Sequence, residues 1–588
     1  AQAARAPAGN GGGTRASPAD GSQPGRGMPE AAYAPIAGSA RNCLAPSVPR
    51  WEFLASLGPE SCFPELCPGE SASEEDEDDD STMEVQPTAS SLQNFASEET
   101  GITSLGRLLS DLALTSPDIL RATHAAVPLA RFAAMLRSSA GSDVASGHSE
   151  DVYHQSFGVA QIGDFWSHSW HGPVWSKIFV LLLHYNTAGG ILGGSAGALA
   201  IAAAFYWLEA PESENAVCLL CLLAGCVGYA FGILSWKSSD TVFLDKVSIS
   251  QTDPDLKAEG IASIGGFLRH SHRMLILWDP TYFRRLWCVF ELTAFAFLRA
   301  HDSSKQIRIR PTFQGDVVVG GFVSVIGTCL LFRAFDGVLI RQIFDARQTL
   351  KRIFVLCVIF FPVCYFVERM RSVARHVACV SMQVSKFSFQ NARCFCCSCD
   401  HLHPDSGDEI PCDRAQVYSA LVTMFGSTES AEQFLQDVVL PKFVIQLGLP
   451  YRKALLMGFP ATWVYVGSLV WSAKFGFEND IMSVYIDCSG HPGETFIFQL
   501  NMWLFMYPIA AEVLIRVATM FRDKSSSEST DMLRVIFACL LGYCVVVLVG
   551  LVMRVPAAVF GCGSLSALMR TIYLACLTAL LYGRRLWA

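Results

Sequence analysis

Charge is what this sequence has least of. Only 16% of its 588 residues are Asp, Glu, Lys or Arg, where a soluble chain carries about 25%. That scarcity excludes a string of three or four ordinary soluble domains. A basic excess is also missing. Lys and Arg number 44 against 53 Asp and Glu, and the run at 74–80 (EEDEDDD) supplies most of the difference. The near-neutral remainder has no positive field for holding nucleic acid, so no nucleic-acid partner is expected. The 21 cysteines sit mostly in apolar stretches or in one cluster, which does not read as a secreted disulfide framework. Inverted repeats and paired broken helices are absent too, which weakens a transporter built from duplicated halves.

What the sequence has in quantity is apolar runs. A helix crossing about 30 Å of hydrocarbon needs about 20 apolar residues. Segments 187–208, 216–236, 454–473, 496–515, 534–553 and 564–582 meet this, and 317–335 and 352–367 are shorter candidates. Eight crossings are counted, with six to eight defensible, so the lipid bilayer is the first expected partner. Residues 1–100, rich in Ala, Gly, Pro and Ser, bury too little apolar surface to order themselves. Residues 101–150 place Leu105, Leu108, Leu109, Leu112 and Leu114 at mostly helical spacing, predicting an amphipathic helical region. The positive-inside rule puts 237–310, the loop around Arg522 and Lys524, and Arg584–Arg585 on the cytosolic side. The loop carrying Arg333, Arg341, Arg347, Lys351 and Arg352 opposes that pattern in an eight-span chain. Either its two flanking spans do not cross fully, or the rule fails there.

Small residues say how the first two spans pack. Gly189, Gly193 and Gly197 repeat every four positions, and Gly228 and Gly232 do so on the next span. Such stripes let helix backbones approach closely in lipid. Neither span carries a charged residue that would mark an ion path. In the later spans Glu512 and Arg516 share a helix face, as expected of an interfacial pair, and Arg570 suggests a tilted or interfacial helix.

The most informative stretch is 240–300. Thr241–Phe243 with Leu244 forms a short apolar strand, 245–259 a polar loop, 260–269 a helix, 273–278 (RMLILW) a buried strand, and 286–298 a helix. That alternation means a parallel β/α unit. Phe243-Leu244-Asp245, Ser271, Leu275–Leu277, Pro280 with Tyr282, and Trp287-Cys288-x-x-Glu291-Leu292 follow one another in an order that resembles the TIR domain of Toll-type and plant immune receptors. Upstream of the first two spans, 162–170 (IGDFWSHSW) is similar to that family's opening strand, 177–185 (KIFVLLLHY) could be its first helix, and 307–311 (IRIRP) its fourth strand. The expected fold is therefore an α-helical multi-pass membrane protein with a cytosolic α/β domain, flavodoxin-like and TIR-like. Its two parts, 151–185 and 238–315, are split by a transmembrane hairpin at 186–237. A hairpin returns the chain to the same side, so the two parts can meet. No fifth strand or last helix is identifiable.

The resemblance implies a chemistry. In enzymatic TIR domains the Glu of the WC-x-x-EL motif cleaves the nicotinamide–ribose bond of NAD, and here that residue is Glu291. Breaking a glycosidic bond builds positive charge on the ribose, which an ionised carboxylate stabilises. Asp164, Phe165 and Ser167 on the opening strand and Trp278 after the third are the candidate substrate-binding residues, with NAD as substrate. Many TIR domains are instead adaptors that self-associate or bind other TIR-like domains. Ser167, His168 and Ser169 do not form a nucleophile–base pair, because adjacent strand residues face opposite ways.

Segment 371–450, expected to be a cytosolic Cys/His-rich helical module, carries a second cluster, CFCCSCDHLHPDSGDEIPC at 394–412. Cys394, Cys396, Cys397, Cys399, His401, His403 and Cys412 are thiol and imidazole groups suited to tetrahedral zinc. No second C-x-x-C pair follows at zinc-finger distance, and lipidated or plain thiols beside a membrane span remain the alternative. Three functions stand open from the sequence. They are a membrane-anchored signalling or assembly module, an NAD-cleaving enzyme using Glu291, and a transporter or channel regulated by the cytosolic domain.

Overall fold

The protein was analysed as a computed structural model, which describes residues 111–137 and 152–583 apart from 171, 209–212, 303, 343–348, 403–406, 408, 410–411, 440–442, 444–445, 448, 476–491, 526, 553–554 and 561–563. The acidic run at 74–80, the first leucines of the 101–150 region, His403 and Arg584–Arg585 lie outside the described residues.

A small mixed sheet organises the first half of the chain. Its strands are β1 (Arg121–His124), β2 (Phe157–Gly158), β3 (Ile162–His168), β4 (Thr241–Phe243), β5 (Ser271–Trp278) and β6 (Gln306–Pro311), in the spatial order β2-β1-β4-β3-β5-β6. The pairs β4–β3, β3–β5 and β5–β6 are parallel. β1 runs antiparallel to both β4 and β2. Asp164 lies opposite Val242 and Phe165 opposite Phe243, so strands on either side of the apolar hairpin are direct neighbours.

Alternation along the strands builds two cores. Phe165, Phe243, Met274, Ile276 and Trp278 join one cluster, while Trp166, Val242, Leu275 and Leu277 join another. This period of two explains why β5 is an unbroken apolar run, since a parallel sheet covered on both faces has no solvent side. Helices α1 (Ala126–Arg137) and α2 (Val174–Tyr185) supply Leu129, Leu136, Ile178 and Leu181 to the second cluster. The first cluster takes Phe267, Val289, Phe290 and Phe295 from helices that follow β4 and β5.

The 101–150 region is not helical throughout. Residues 121–124 form β1, which bonds to the edge of β4. A strand edge left bare in a closed domain would waste backbone donors and acceptors, and four residues suffice to cover it. The helical spacing of the leucines ends at Leu114, before this turn begins. Thr115 then fastens the segment to Ser263 and Glu259.

Among the described residues six helices are long and apolar enough to cross a bilayer, which fits an integral multi-pass membrane protein. They are α3 (Thr187–Trp207), α4 (Glu214–Ser235) and stretches Phe313–Leu331, Phe496–Met520, Glu528–Val546 and Ser564–Tyr582. A seventh crossing is formed if Tyr451–Gly458 and Pro460–Phe475, bent by 47°, are taken as one span. Pro460 lacks the N–H that would continue the helical ladder across that bend. Segment 352–367 does not reach span length among the described residues. It belongs to a helix, Thr349–Ser385, whose uncharged part at 353–367 covers about 22 Å at 1.5 Å per residue, short of the hydrocarbon core.

The chain nevertheless returns to the sheet at the end of that helix. Gln383 Nε2 donates to the Pro280 carbonyl at 3.0 Å, and Gln446 brackets β6 by bonding Ile309 N and Ile307 O. The path from β6 to Gln383, which includes the span-length stretch Phe313–Leu331, thus begins and ends beside the sheet. The basic stretch expected as a loop is helical where it is described, since 333–342 end the helix Phe313–Gln342 and 349–352 begin the helix Thr349–Ser385.

Helices α3 and α4 pack as the glycine stripes require. A Cβ on Gly193 would come within 2.2 Å of the Gly228 carbonyl oxygen, and one on Gly225 within 2.3 Å of the Trp463 ring. Outward positions Leu192, Leu199, Val227 and Phe231 are exposed and apolar, as lipid-facing residues are. Further along, Arg516 Nε donates to Glu512 Oε1 at 2.9 Å, the glutamate buried and the arginine half exposed. Arg570 is buried within the protein and donates to Ser566 Oγ at 2.7 Å.

Candidate functional site

Strand order fixes where a ligand crevice belongs. β3 connects outward to β4 on one side, and the chain then crosses to β5 on the other. In open α/β sheets the crevice lies beyond the carboxyl ends of the strands where the winding reverses. Here that point lies between β3 and β5, at Ser167, His168, Trp278 and Asp279.

The helix after β5, α5 for the present purpose (Leu286–His301), brings the motif residues to this point. Cys288 and Glu291 are three apart and share the face turned to β3. Ser167 Oγ donates to Glu291 Oε2 at 2.7 Å. Tyr282 OH lies 2.7 Å from the same Oγ and donates to the Cys288 carbonyl at 3.0 Å. Cys288 Sγ donates to the His168 carbonyl at 3.4 Å. Burial pushes the Glu291 carboxyl up to about 8, against the Ser167 hydrogen bond and aided by the Asp245 charge. At neutral pH the group is therefore largely protonated.

On the opposite face of β3, His168 is held neutral. Burial lowers it to about 4, opposed by Asp245 and assisted by Lys177. Its ring stands edge-on to Trp170 at 4.6 Å, and Trp170 Nε1 donates to Asp245 Oδ2 at 3.0 Å. Lys177 from α2 is buried beside Asp279, with Nζ 3.9 Å from Oδ2, and donates to the carbonyls of Ser169 and Gly172. Thr281 Oγ1 reaches Ser169 Oγ at 2.8 Å and closes the two strand ends together.

The sequence-derived residues divide accordingly. Ser167 joins Glu291, but Asp164, Phe165 and Trp278 do not. Asp164 is fully buried on the other face, paired with Arg273 Nε and Nη2 at 2.5 and 3.1 Å, and accepts from Tyr185 OH at 2.8 Å. Phe165 stacks on Phe243 at 4.6 Å, and Trp278 is buried against Phe313. Of the motif residues, Tyr282 and Cys288 join the group, while Asp245 lies across the strand. Ser271 donates to the Phe267 carbonyl within the domain, and Leu292 is core. Trp287 turns away altogether, donating from Nε1 to Asp413 Oδ2 at 3.0 Å. Sequence reasoning missed the Lys177–Asp279 pair and the Asp413 contact. A lysine inside an apolar helix was the available signal for the first; the second had none beyond following Cys412.

The cysteine–histidine cluster is a separate feature. Cys396, Cys397, His401 and Cys412 each place a ligand atom so that all lie within 4.8 Å of one another. Cys394 sits beside them with Asp413, its Sγ 3.1 Å from that of Cys396. Cys399 is not part of either group among the described residues. No family model, no curated protein and no solved structure matches this chain.

Proposed function

We propose that this chain is a membrane-anchored signalling or assembly module. In this reading its split α/β domain is TIR-like, faces the cytosol with the C-terminus, and acts by associating with further copies or with other TIR-like domains. The parallel order β4-β3-β5-β6 and the WC-x-x-EL helix behind β5 support the resemblance. The observation that carries the choice of function is the state of Glu291. Half-buried, it accepts from Ser167 Oγ at 2.7 Å, within a group that Tyr282 ties to the Cys288 carbonyl. Its contacts join α5 to the end of β3, which suits a fold-building role.

A second reading, NAD cleavage, has one observation in its favour. Ser167 and Glu291 converge at the strand ends where α/β sheets take ligands. A transport path gains less support, since the buried Glu512 and Arg570 are engaged by Arg516 and Ser566. The test is the mass of the detergent-solubilised full chain, measured beside nicotinamide release from NAD. The proposal expects an oligomer without nicotinamide release, and an unchanged oligomer in Glu291→Gln. A monomer over a wide concentration range overturns it. Nicotinamide release that vanishes in Glu291→Gln replaces it with the second reading.

A further inference from the structure

The four-residue group at 396–412 has the dimensions of a metal site. Cys397 Sγ lies 3.9 Å from Cys396 Sγ, 3.9 Å from Cys412 Sγ and 3.6 Å from His401 Nε2. A tetrahedral zinc ion with Zn–S of about 2.3 Å and Zn–N of about 2.0–2.1 Å sets sulfur–sulfur edges of about 3.8 Å and sulfur–nitrogen edges of about 3.6 Å. The three separations from Cys397 match those edges, and all four ligand atoms lie within 4.8 Å of one another. The sulfur–sulfur separations are nearly twice the disulfide bond length of about 2.05 Å, and all of these cysteines are free.

The backbone is bent to make the group. Asp400 and His401 both adopt left-handed conformations, with φ of 50° and 60°. Such values are uncommon for residues other than glycine, and two in succession are held only where the surroundings demand it. The turn lets His401 N donate to the Cys396 carbonyl at 2.8 Å while its ring comes back over Cys397. Asp413 N donates to Cys396 Sγ at 3.3 Å, the outer hydrogen bond that a metal-bound thiolate accepts. Thiols destined for lipid anchors need neither convergence with an imidazole nor such a bond.

We propose that Cys396, Cys397, His401 and Cys412 form a structural zinc site. Four protein ligands leave no open position, so the metal holds shape and does no chemistry. What it holds is the start of α5. Leu286 N donates to the Arg393 carbonyl at 3.1 Å, Arg393 N to the Arg284 carbonyl at 2.6 Å, and Trp287 to Asp413, the residue next to Cys412. The site thus fastens residues 393–413 to the helix that carries Glu291. It is independent of whether the α/β domain signals or cleaves NAD.

The experiment is metal analysis of the purified full chain in detergent, followed by exchange with cobalt(II). Equimolar zinc is expected, together with the intense visible bands of tetrahedral cobalt bound by thiolates. Cys397→Ser and Cys412→Ser should lose the metal, and Cys399→Ser should keep it. Should the first two variants fail to fold, alkylation of the wild type decides instead. Cys396, Cys397 and Cys412 are then protected until a chelator is added, while Cys399 reacts throughout. A folded wild type without zinc or tetrahedral cobalt bands overturns the proposal. So does metal retained in Cys412→Ser, or equal alkylation of Cys399 and Cys412 before chelation.

Discussion

Ser167 Oγ and Glu291 Oε2 meet at 2.7 Å although 124 residues separate them in the chain. Between the two lies the apolar hairpin of α3 and α4, which leaves the sheet after α2 and returns directly into β4. The contact exists because β3 sits between β4 and β5, so its carboxyl end faces the helix that follows β5. An insertion with both ends on one side of the membrane leaves that arrangement intact. The hydrogen bond is therefore a sensitive reporter of whether the two parts of the domain have come together.

Glu291 should give the domain a pH-dependent stability. Its carboxyl titrates near 8 when folded, against an ordinary value of 4.5, with burial as the main cause. The folded state holds the proton more tightly, so stability is complete below about pH 4.5, falls as pH rises to about 8, and is flat above. At about 1.4 kcal/mol per unit the loss is on the order of a few kcal/mol. Unfolding midpoints of wild type and Glu291→Gln, measured between pH 5 and about 9, should converge at the acid end and diverge at the alkaline end, the variant staying flatter. Ser167→Ala should extend the wild-type fall to higher pH, because its hydrogen bond is what opposes the burial. Parallel curves would contradict the raised titration of the carboxyl.

Much of this arrangement was legible in the sequence, for physical reasons. A short unbroken apolar run bounded by polar residues, such as MLILW at 274–278, suits a strand covered on both faces, and β3 to β6 fall where the patterns place them. What was not legible was direction. Asp164 and Ser167 are three apart on a strand, so they point to opposite faces, and no local signal says which of them meets Glu291. The Asp164–Arg273 pair and the Trp287–Asp413 bond join residues 109 and 126 apart. Only the strand order makes such partners neighbours. β1 escaped notice because four residues at a sheet edge carry too short a pattern to separate from a loop.

Asp164 should matter for stability and not for the Glu291 group. Its carboxylate is fully buried with both oxygens engaged by Arg273 and Tyr185. Asp164→Ala leaves a guanidinium and a phenol without their acceptor and should cost about 3–5 kcal/mol. Replacing the ion pair together, by Asp164→Leu with Arg273→Met while Tyr185 is kept as the acceptor of the Trp166 N–H, should recover part of that loss. Thermal unfolding of the two proteins checks this. If the single substitution is as stable as wild type, the pair is not buried as described.

The hairpin should tolerate change on its outer face and not on its seam. A side chain at Gly193 meets the Gly228 carbonyl at 2.2 Å, and neither backbone can retreat without separating α3 from α4. Gly193→Leu should lower stability in detergent by about 1–3 kcal/mol or more. Leu192→Ala, at a position 61% exposed, should stay within about 0.5 kcal/mol. Because only residues 236–240 separate α4 from β4, the seam variant should also speed hydrogen exchange in β4. A Leu192 variant with the larger effect would place the seam on the wrong face.

Trp287 is the motif residue whose role departs furthest from its neighbours. Cys288 and Glu291 face β3, whereas the Trp287 indole N–H donates to Asp413 Oδ2 at 3.0 Å, outside the sheet. Its ring stands edge-on to Phe290 at 5.8 Å, so Phe at 287 can keep an aromatic contact while losing the hydrogen bond. A bond to a carboxylate contributes about 1.5–3 kcal/mol, a part of what holds 393–413 to the helix. The backbone bonds at Leu286 and Arg393 remain, so Trp287→Phe should loosen this contact without releasing it. Hydrogen exchange should quicken at 393–413 and stay unchanged in β5, whose core is built from Met274, Leu275, Ile276 and Leu277. Asp413→Asn, which keeps an acceptor oxygen, should fall between wild type and Trp287→Phe. Quickened exchange in β5 as well would mean that Trp287 supports the sheet itself and that its bond to Asp413 is secondary.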